Sequence, residues 1–225
     1  MINTYFSDLF DFGLNCLEIF RITKTMRSIL LTIIAIIANF THSYAQKDPE
    51  LRAALSKMTA ASISSDAQAT VNLTSPRLIK QMGGNENASK LIEEGYSQLN
   101  KQGLKIDTVF NYLDVDPFTL NNIVYCFFPQ LIVMSIPDSS NKMIAHATLL
   151  AIKEPQLKTW NFLDYGNLSA EQMKILLPEF VGKVDFPRTD IKPMMLQKEE
   201  IASNIKLLMK IIDDAVKKAK SVRPK

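Results

Sequence analysis

"NIVYCFFPQLIVMSIPDSSNKMIAHATLLAIK", residues 122–153, holds two apolar runs rich in β-branched and aromatic residues, joined by the polar "DSSNK" of residues 138–142. Such runs read as strands, and a short polar joint makes them antiparallel neighbours. Pro129 interrupts the first run. A proline cannot donate to a ladder, so its position predicts an edge, a bulge or a sharp bend. On the second run, Met143, Ala145, Ala147, Leu149 and Ala151 form one face, expected to be core beneath helices. Ile144, His146, Thr148, Leu150 and Ile152 form the other, which carries polar groups and is expected to meet solvent or a cleft.

Working outward, "KIDTVFNYLDV" (105–115) reads as a preceding strand, "EPQLK" (154–158) as a turn and "TWNFLDY" (159–165) as the last strand. Consecutive strands with short connections predict an antiparallel meander. Before it the period is helical. Asp48-Pro49-Glu50 supplies an N-cap, a proline at the first helical position and an acid at the positive helix end, ahead of Leu51, Leu55 and Met58. A second helix is expected from Asp66 to Gly83-Gly84, kinked or divided at Pro76. A third, in "NENASKLIEEGYSQLNKQG", places Ala88, Leu91, Ile92, Gly95, Tyr96 and Leu99 on one face and stops at Gly103.

After the meander, Ser169 with Gln172 forms a capping box and Leu168 with Met173 a hydrophobic staple, for a helix ending near Pro178. "FPRTDIKP" (186–193) reads as irregular. In "QKEEIASNIKLLMKIIDDAVKKAK", Ile201, Ile205, Leu208, Ile212, Ala215 and Ala219 step as a heptad seam, widened by Leu207, Met209, Ile211 and Val216. A stripe that broad has to cover something. Lying on its own domain is the favoured reading, because three heptads make a short seam; a homodimer through the helix at 199–219 is the other. The fold class is therefore α+β: N-terminal helices packed on an antiparallel sheet, with an extra C-terminal helix.

The beginning of the chain reads as an address. Met26-Arg27, the apolar Ile29–Ala38 and the small-x-small ending Ser43-Tyr44-Ala45 follow the secretory signal pattern, with cleavage before Gln46. The apolar part is short for a transmembrane span. Residues 1–25, with Asp8, Asp11 and Glu18, read as an over-extended start or a long n-region; residues 26–45 as signal; 46–192 as the α+β domain; 193–225 as an amphipathic helix with a basic tail. A secreted or periplasmic protein follows, not integral to the membrane once cut; an uncleaved signal would instead leave it anchored.

Charge points away from nucleic acid, since 26 basic and 23 acidic side chains give only +3 and are scattered except in the tail. Cys126 and His146 are the cysteine and histidine left beyond residue 45. One thiol forms no internal disulfide, and one histidine removes most histidine-based metal sites. No metal or cofactor is expected.

Several stretches carry a resemblance: "LTSPRLIKQMGG" with its helix running into proline, "FFPQLIVMSIP" with its interrupted strand, and "KTWNFLDYG" followed by "ILLPEF" and "FPRTD". Over roughly Asp48 to Lys192 the chain resembles small exported bacterial proteins of the nuclear-transport-factor-2-like, or cystatin-like, superfamily. The resemblance implies a cone-like fold in which helices and a strongly bent sheet enclose a pocket. It implies no particular activity, because that superfamily includes enzymes, binders and scaffolds.

The chemistry is sparse. Cys126, flanked by Tyr125 and Phe127, reads as a buried strand residue with no cation to make it a thiolate. The pairs Glu93-Glu94, Glu199-Glu200 and Asp213-Asp214 point apart on helices and read as solvated faces. No G-x-G-x-x-G occurs among the seven glycines. Asn72, Asn87 and Asn167 begin glycosylation-type triplets that are common by chance. Tyr96, Tyr112, His146 and Trp160 are the expected pocket lining. The favoured function is an exported, non-catalytic binding or scaffold module for an unidentified small molecule or protein. The alternative is a small pocket enzyme moving protons with Asp107 or Asp164 and with Tyr112 or His146.

Overall fold

The computed structural model describes residues 48–137, 139–184 and 191–222. The signal and its cleavage point, Cys16, most of "FPRTDIKP" and the last residues of the basic tail lie outside them.

Among the described residues, four helices come first. Asp48 accepts from the Leu51 amide at 3.0 Å and opens α1 (Pro49–Ser64), with Pro49 at its first position. Asp66 accepts from the Ala69 amide and opens α2 (Ala67–Leu73). Pro76 divides the second predicted helix: Ser75 before it is not helical, and α3 (Pro76–Gln81) starts on the proline. Glycines 83 and 84, both at positive φ, lead into α4 (Asn85–Lys101). Its inner face is narrower than expected. Ala88 is buried and Ile92, Tyr96 and Leu99 are half-buried, but Leu91 and Gly95 are exposed, because only one side of this outer helix meets the domain. Gly103, at φ 71°, turns the chain where a Cβ would collide with Pro137.

Six strands form one antiparallel sheet: β1 (Lys105–Asn111), β2 (Phe118–Leu120), β3 (Ile123–Ser135), β4 (Asn141–Lys153), β5 (Asn161–Asp164) and β6 (Met194–Gln197). The main order is β1-β3-β4-β5, a meander. β2 pairs with β3 through a two-residue turn at Asn121-Asn122, both at positive φ, which is the twist a tight hairpin requires. β6 joins β4 opposite Asn141–Ile144, so "TWNFLDY" is not the last strand. Four residues give too little alternation for β6 to show in sequence.

Pro129 neither breaks nor ends β3, which runs unbroken through it and pairs with β4 along its whole length. The reason is local. β1 pairs with β3 from Gln130 onward and β2 pairs with residues 123–125. On that side Pro129 meets no strand, and its carbonyl accepts from the Tyr112 amide at 2.9 Å. The missing N–H faces the same gap, so no ladder bond is lost.

Both sheet faces are covered. Glu50 pairs with Lys153 of β4 and Thr59 accepts from Asn111 of β1, so α1 crosses the sheet between those strands on the face carrying Cys126, Phe128, Gln130, Ala147 and Leu149. The opposite face, with Tyr125, Phe127, Ile144, Leu150 and Ile152, is also core. This corrects the expectation of solvent or cleft there. Phe127 and Tyr125 pack against Phe180, and Phe127 meets Tyr165 edge-on at 4.8 Å. Those rings arrive from beyond β5, where α5 (Ala170–Leu176) has the capping box Ser169–Gln172 and is followed by the short turn of helix Pro178–Phe180.

The last helix, α6 (Ile201–Val222), buries Leu208, Ile212 and Val216 in the same core as the strands. Its face therefore lies on its own domain. The stripe is narrower than the sequence suggests, since Leu207 and Ile211 are 57% and 44% exposed. No helix among the described residues is long and apolar enough to cross a membrane.

Candidate functional site

A cavity of about 290 Å³ lies between the helical layer and the sheet. Its walls are mostly apolar: Met58 of α1, Leu78 and Met82 at α3, Ile92 of α4, and Ile132 and Leu149 of the sheet. Helical spacing puts Met58 and Ser62 of α1 on one side of it; strand alternation puts Gln130 with Ile132, and Ala147 with Leu149, on the other.

The polar groups at this cavity are paired. The Thr70 hydroxyl meets the Tyr96 hydroxyl at 3.0 Å, and Thr74 donates to the Thr70 carbonyl at 2.8 Å. Gln130, buried in β3, donates to Asn111 at 2.5 Å, and Asn111 donates to Thr59 at 3.2 Å. This chain of amides ties β3, β1 and α1 together at the wall. Asp164 carries the cavity's charge; it is exposed and accepts from Asn167 at 2.7 Å. Such a cavity suits an uncharged body with one or two hydrogen-bonding groups.

Of the residues expected to line a pocket, Tyr96 does so, and Asp164 joins it. Tyr112, His146 and Trp160 are not among the cavity's lining residues. The Tyr112 hydroxyl donates to Asp213 of α6, and burial with that carboxylate pushes its pKa up. His146 pairs with Leu131 in register, on the face opposite Leu149. Burial lowers its pKa, opposed by the Asp164 carboxylate. Trp160 is buried at the start of β5, its ring 5.7 Å from the Lys153 ammonium. Asp107 is bound at 2.7 Å by both Lys142 and Ser135, and these donors outweigh its burial and hold its pKa down. Of the groups named for proton transfer, Asp164 lines the cavity, while Asp107 is held by Lys142 and Ser135 and Tyr112 by Asp213.

Sequence reasoning missed a second cluster. Arg77 of α3 donates from Nε to Glu154 at 2.7 Å, and from Nη1 to Glu179 at 2.6 Å and the Leu176 carbonyl at 3.0 Å. The Tyr125 hydroxyl also donates to Glu179. Burial alone would raise the Glu179 carboxyl, but Tyr125 and Arg77 together hold it below its ordinary value. The partners are 77 and 102 residues from Arg77 along the chain, so no local pattern announces them. Every member is satisfied within the cluster, which makes it a clamp between α3, β3 and the Pro178–Phe180 turn.

Three buried side-chain atoms have no partner among the described residues: Ser75 Oγ, Trp160 Nε1 and Asn161 Oδ1. All lie within two residues of the bridge between Thr74 and Phe162. No group of three or more His, Cys, Asp or Glu among the described residues is placed to hold a metal ion. No family model, curated protein or solved structure matches the chain.

Proposed function

We propose that this chain is an exported, non-catalytic binding module whose ligand is a small, uncharged, largely apolar molecule. It is delivered by the signal at residues 26–45 and works from Gln46 onward. In this reading the helices and a bent sheet form the cone of the nuclear-transport-factor-2-like superfamily, with the ligand in its mouth. The observation that carries the proposal is the cavity above Gln130 and Leu149, apolar in its walls and supplied with the hydroxyls of Thr70 and Tyr96. A cavity of this kind stabilises an apolar body by removing it from water, and its few polar groups fix orientation. Proton-transfer chemistry is the lesser reading: Asp164 and Tyr96 share the cavity, but Asp164 is exposed and held by Asn167, where water screens a base.

The test is a titration of residues 46–225 with p-cresol, followed by the methyl resonances of labelled methionines. Met58 and Met82 line the cavity and Met195 is 68% exposed elsewhere. Saturable shifts at Met58 and Met82 but not Met195, abolished by Leu149→Trp in a folded variant, are the expected result. Shifts absent from Met58 and Met82, or equal at Met195, would remove the cavity as the binding site.

A further inference from the structure

The cavity sets a further condition on its ligand, which follows from where the hydroxyl protons go. A hydroxyl has one proton to give and two lone pairs to receive with. Thr70 of α2 gives its proton to the Asp66 carbonyl at 2.8 Å, one helical turn back. Its contact with the Tyr96 hydroxyl, at 3.0 Å, therefore has one direction: Tyr96 donates and Thr70 accepts. Thr74 gives its proton to the Thr70 carbonyl at 2.8 Å, and Ser62 gives its own to the Met58 carbonyl at 3.0 Å. All four residues line the cavity, and all four hydroxyl protons are spent inside the protein. What remains on these oxygens is lone pairs. The Tyr96 oxygen accepts from nothing among the described residues.

Charge runs the same way. Asp164 lines the cavity, and no lysine, arginine or histidine among the described residues does. An ionised carboxylate only accepts. Against these acceptors stand two spare donors, the Thr59 hydroxyl and the second N–H of Gln130, both tied into the amide chain at Asn111. A ligand oxygen with no proton of its own would therefore lose its bonds to water and meet mostly lone pairs. That loss is how a site rejects an analogue of the right shape.

We infer that the cavity selects hydrogen-bond donors: an apolar body carrying one O–H or N–H, such as a phenol, an alcohol or an indole, over a body of similar shape carrying a carbonyl, ether or nitrile. The acceptor is the Tyr96 oxygen. Thr70 makes it one, because its own proton is held in α2 and it draws the Tyr96 proton away from the ligand. This selection rests on the cavity being the binding site.

The experiment compares p-cresol, p-fluorotoluene and p-tolunitrile on the chain from Gln46, which includes every described residue, and follows the methionine methyl resonances. The three share a methylated ring. The first donates, the third only accepts, and the fluorine of the second does little of either. Saturable shifts at Met58 and Met82 are expected, with p-cresol bound about tenfold more tightly than the other two, the scale of one hydrogen bond. Thr70→Val keeps the outline of the side chain and frees the Tyr96 proton, so p-tolunitrile should gain several-fold. If that variant does not fold, Tyr96→Phe removes the acceptor and should bring p-cresol down to the level of p-fluorotoluene. Equal affinity for all three in the natural chain, or a preference for p-tolunitrile, would overturn the selection and leave the cavity as the site. A preference for p-cresol that survives Tyr96→Phe unchanged would overturn the role of Tyr96. No shift at Met58 or Met82 with any of the three would remove the binding site, and the selection with it.

Discussion

Arg77 shows how much rests on one side chain. It is a quarter exposed, but both its carboxylate partners are more buried than it is, at 12% and 7%. Arg77→Met would leave Glu179 charged, buried and held by Tyr125 alone, and removing one member of such a pair costs about 3 kcal/mol or more. The expected outcome in denaturant melts is a large loss for Arg77→Met and a smaller loss for Arg77→Met with Glu179→Gln. Equal losses would show that packing of the arginine stem, rather than charge, holds the turn. His146 gives a pH prediction. Its folded pKa is depressed below the ordinary 6.5, so the unfolded chain takes up the proton first. Its contribution to stability is full above that value and is lost as pH falls through the folded pKa. Melting temperature should therefore drop more between pH 7.5 and 5.5 for the natural chain than for His146→Gln. At this scale the sequence was readable where a residue acts on near neighbours: Asp48, Asp66 and Ser169 cap as their spacing requires. It was silent on Arg77, Glu154 and Glu179, because residues so far apart in the chain become partners only through the sheet.

Among elements, α6 is the most informative. Its buried stripe of Leu208, Ile212 and Val216 joins the sheet's core, and Asp213 beside it holds Tyr112. Leu208 is 5% exposed, and burying a leucine is worth about 1.5–3 kcal/mol before any penalty for an aspartate placed there. Leu208→Asp should lower the melting temperature of a protein that remains monomeric by light scattering. A variant that melts unchanged would place the helix off the domain. The period of 3.6 made α1, α4 and α6 visible in sequence, and the period of 2 made β1, β3 and β4 visible. β2 and β6 escaped because three or four residues are too few to display a period, although Asn121-Asn122 was a hairpin signal that could have been read. The width of amphipathic faces was overestimated for the same helices, since Leu91, Leu207 and Ile211 are apolar but face outward. Exposed leucines are ordinary, and periodicity alone does not tell which side of a wide stripe meets the core.

For the molecule as a whole, the layered plan was legible: helices first, a meander next, helices again. The cavity was expected between helices and sheet, but its lining was predictable only for Tyr96, because the other expected residues depended on which sheet face each strand presents. Alternation sets which residues share a face; it does not say that both faces are covered. The sheet's outline has a further meaning for how these molecules meet one another in concentrated solution. The outer side of β3 is divided between β1 and β2, and that of β4 between β5 and β6. Of the four strands left at the rim, three have only three or four residues. The fourth, β1, is longer, but its register shifts between Ile106 and Thr108, and Lys105 and Asp107 stand on it. Among the described residues, no rim is both long and regular enough to template a strand from a second copy, which is how sheet proteins commonly begin to aggregate. The domain can therefore be concentrated without its described strands zipping together.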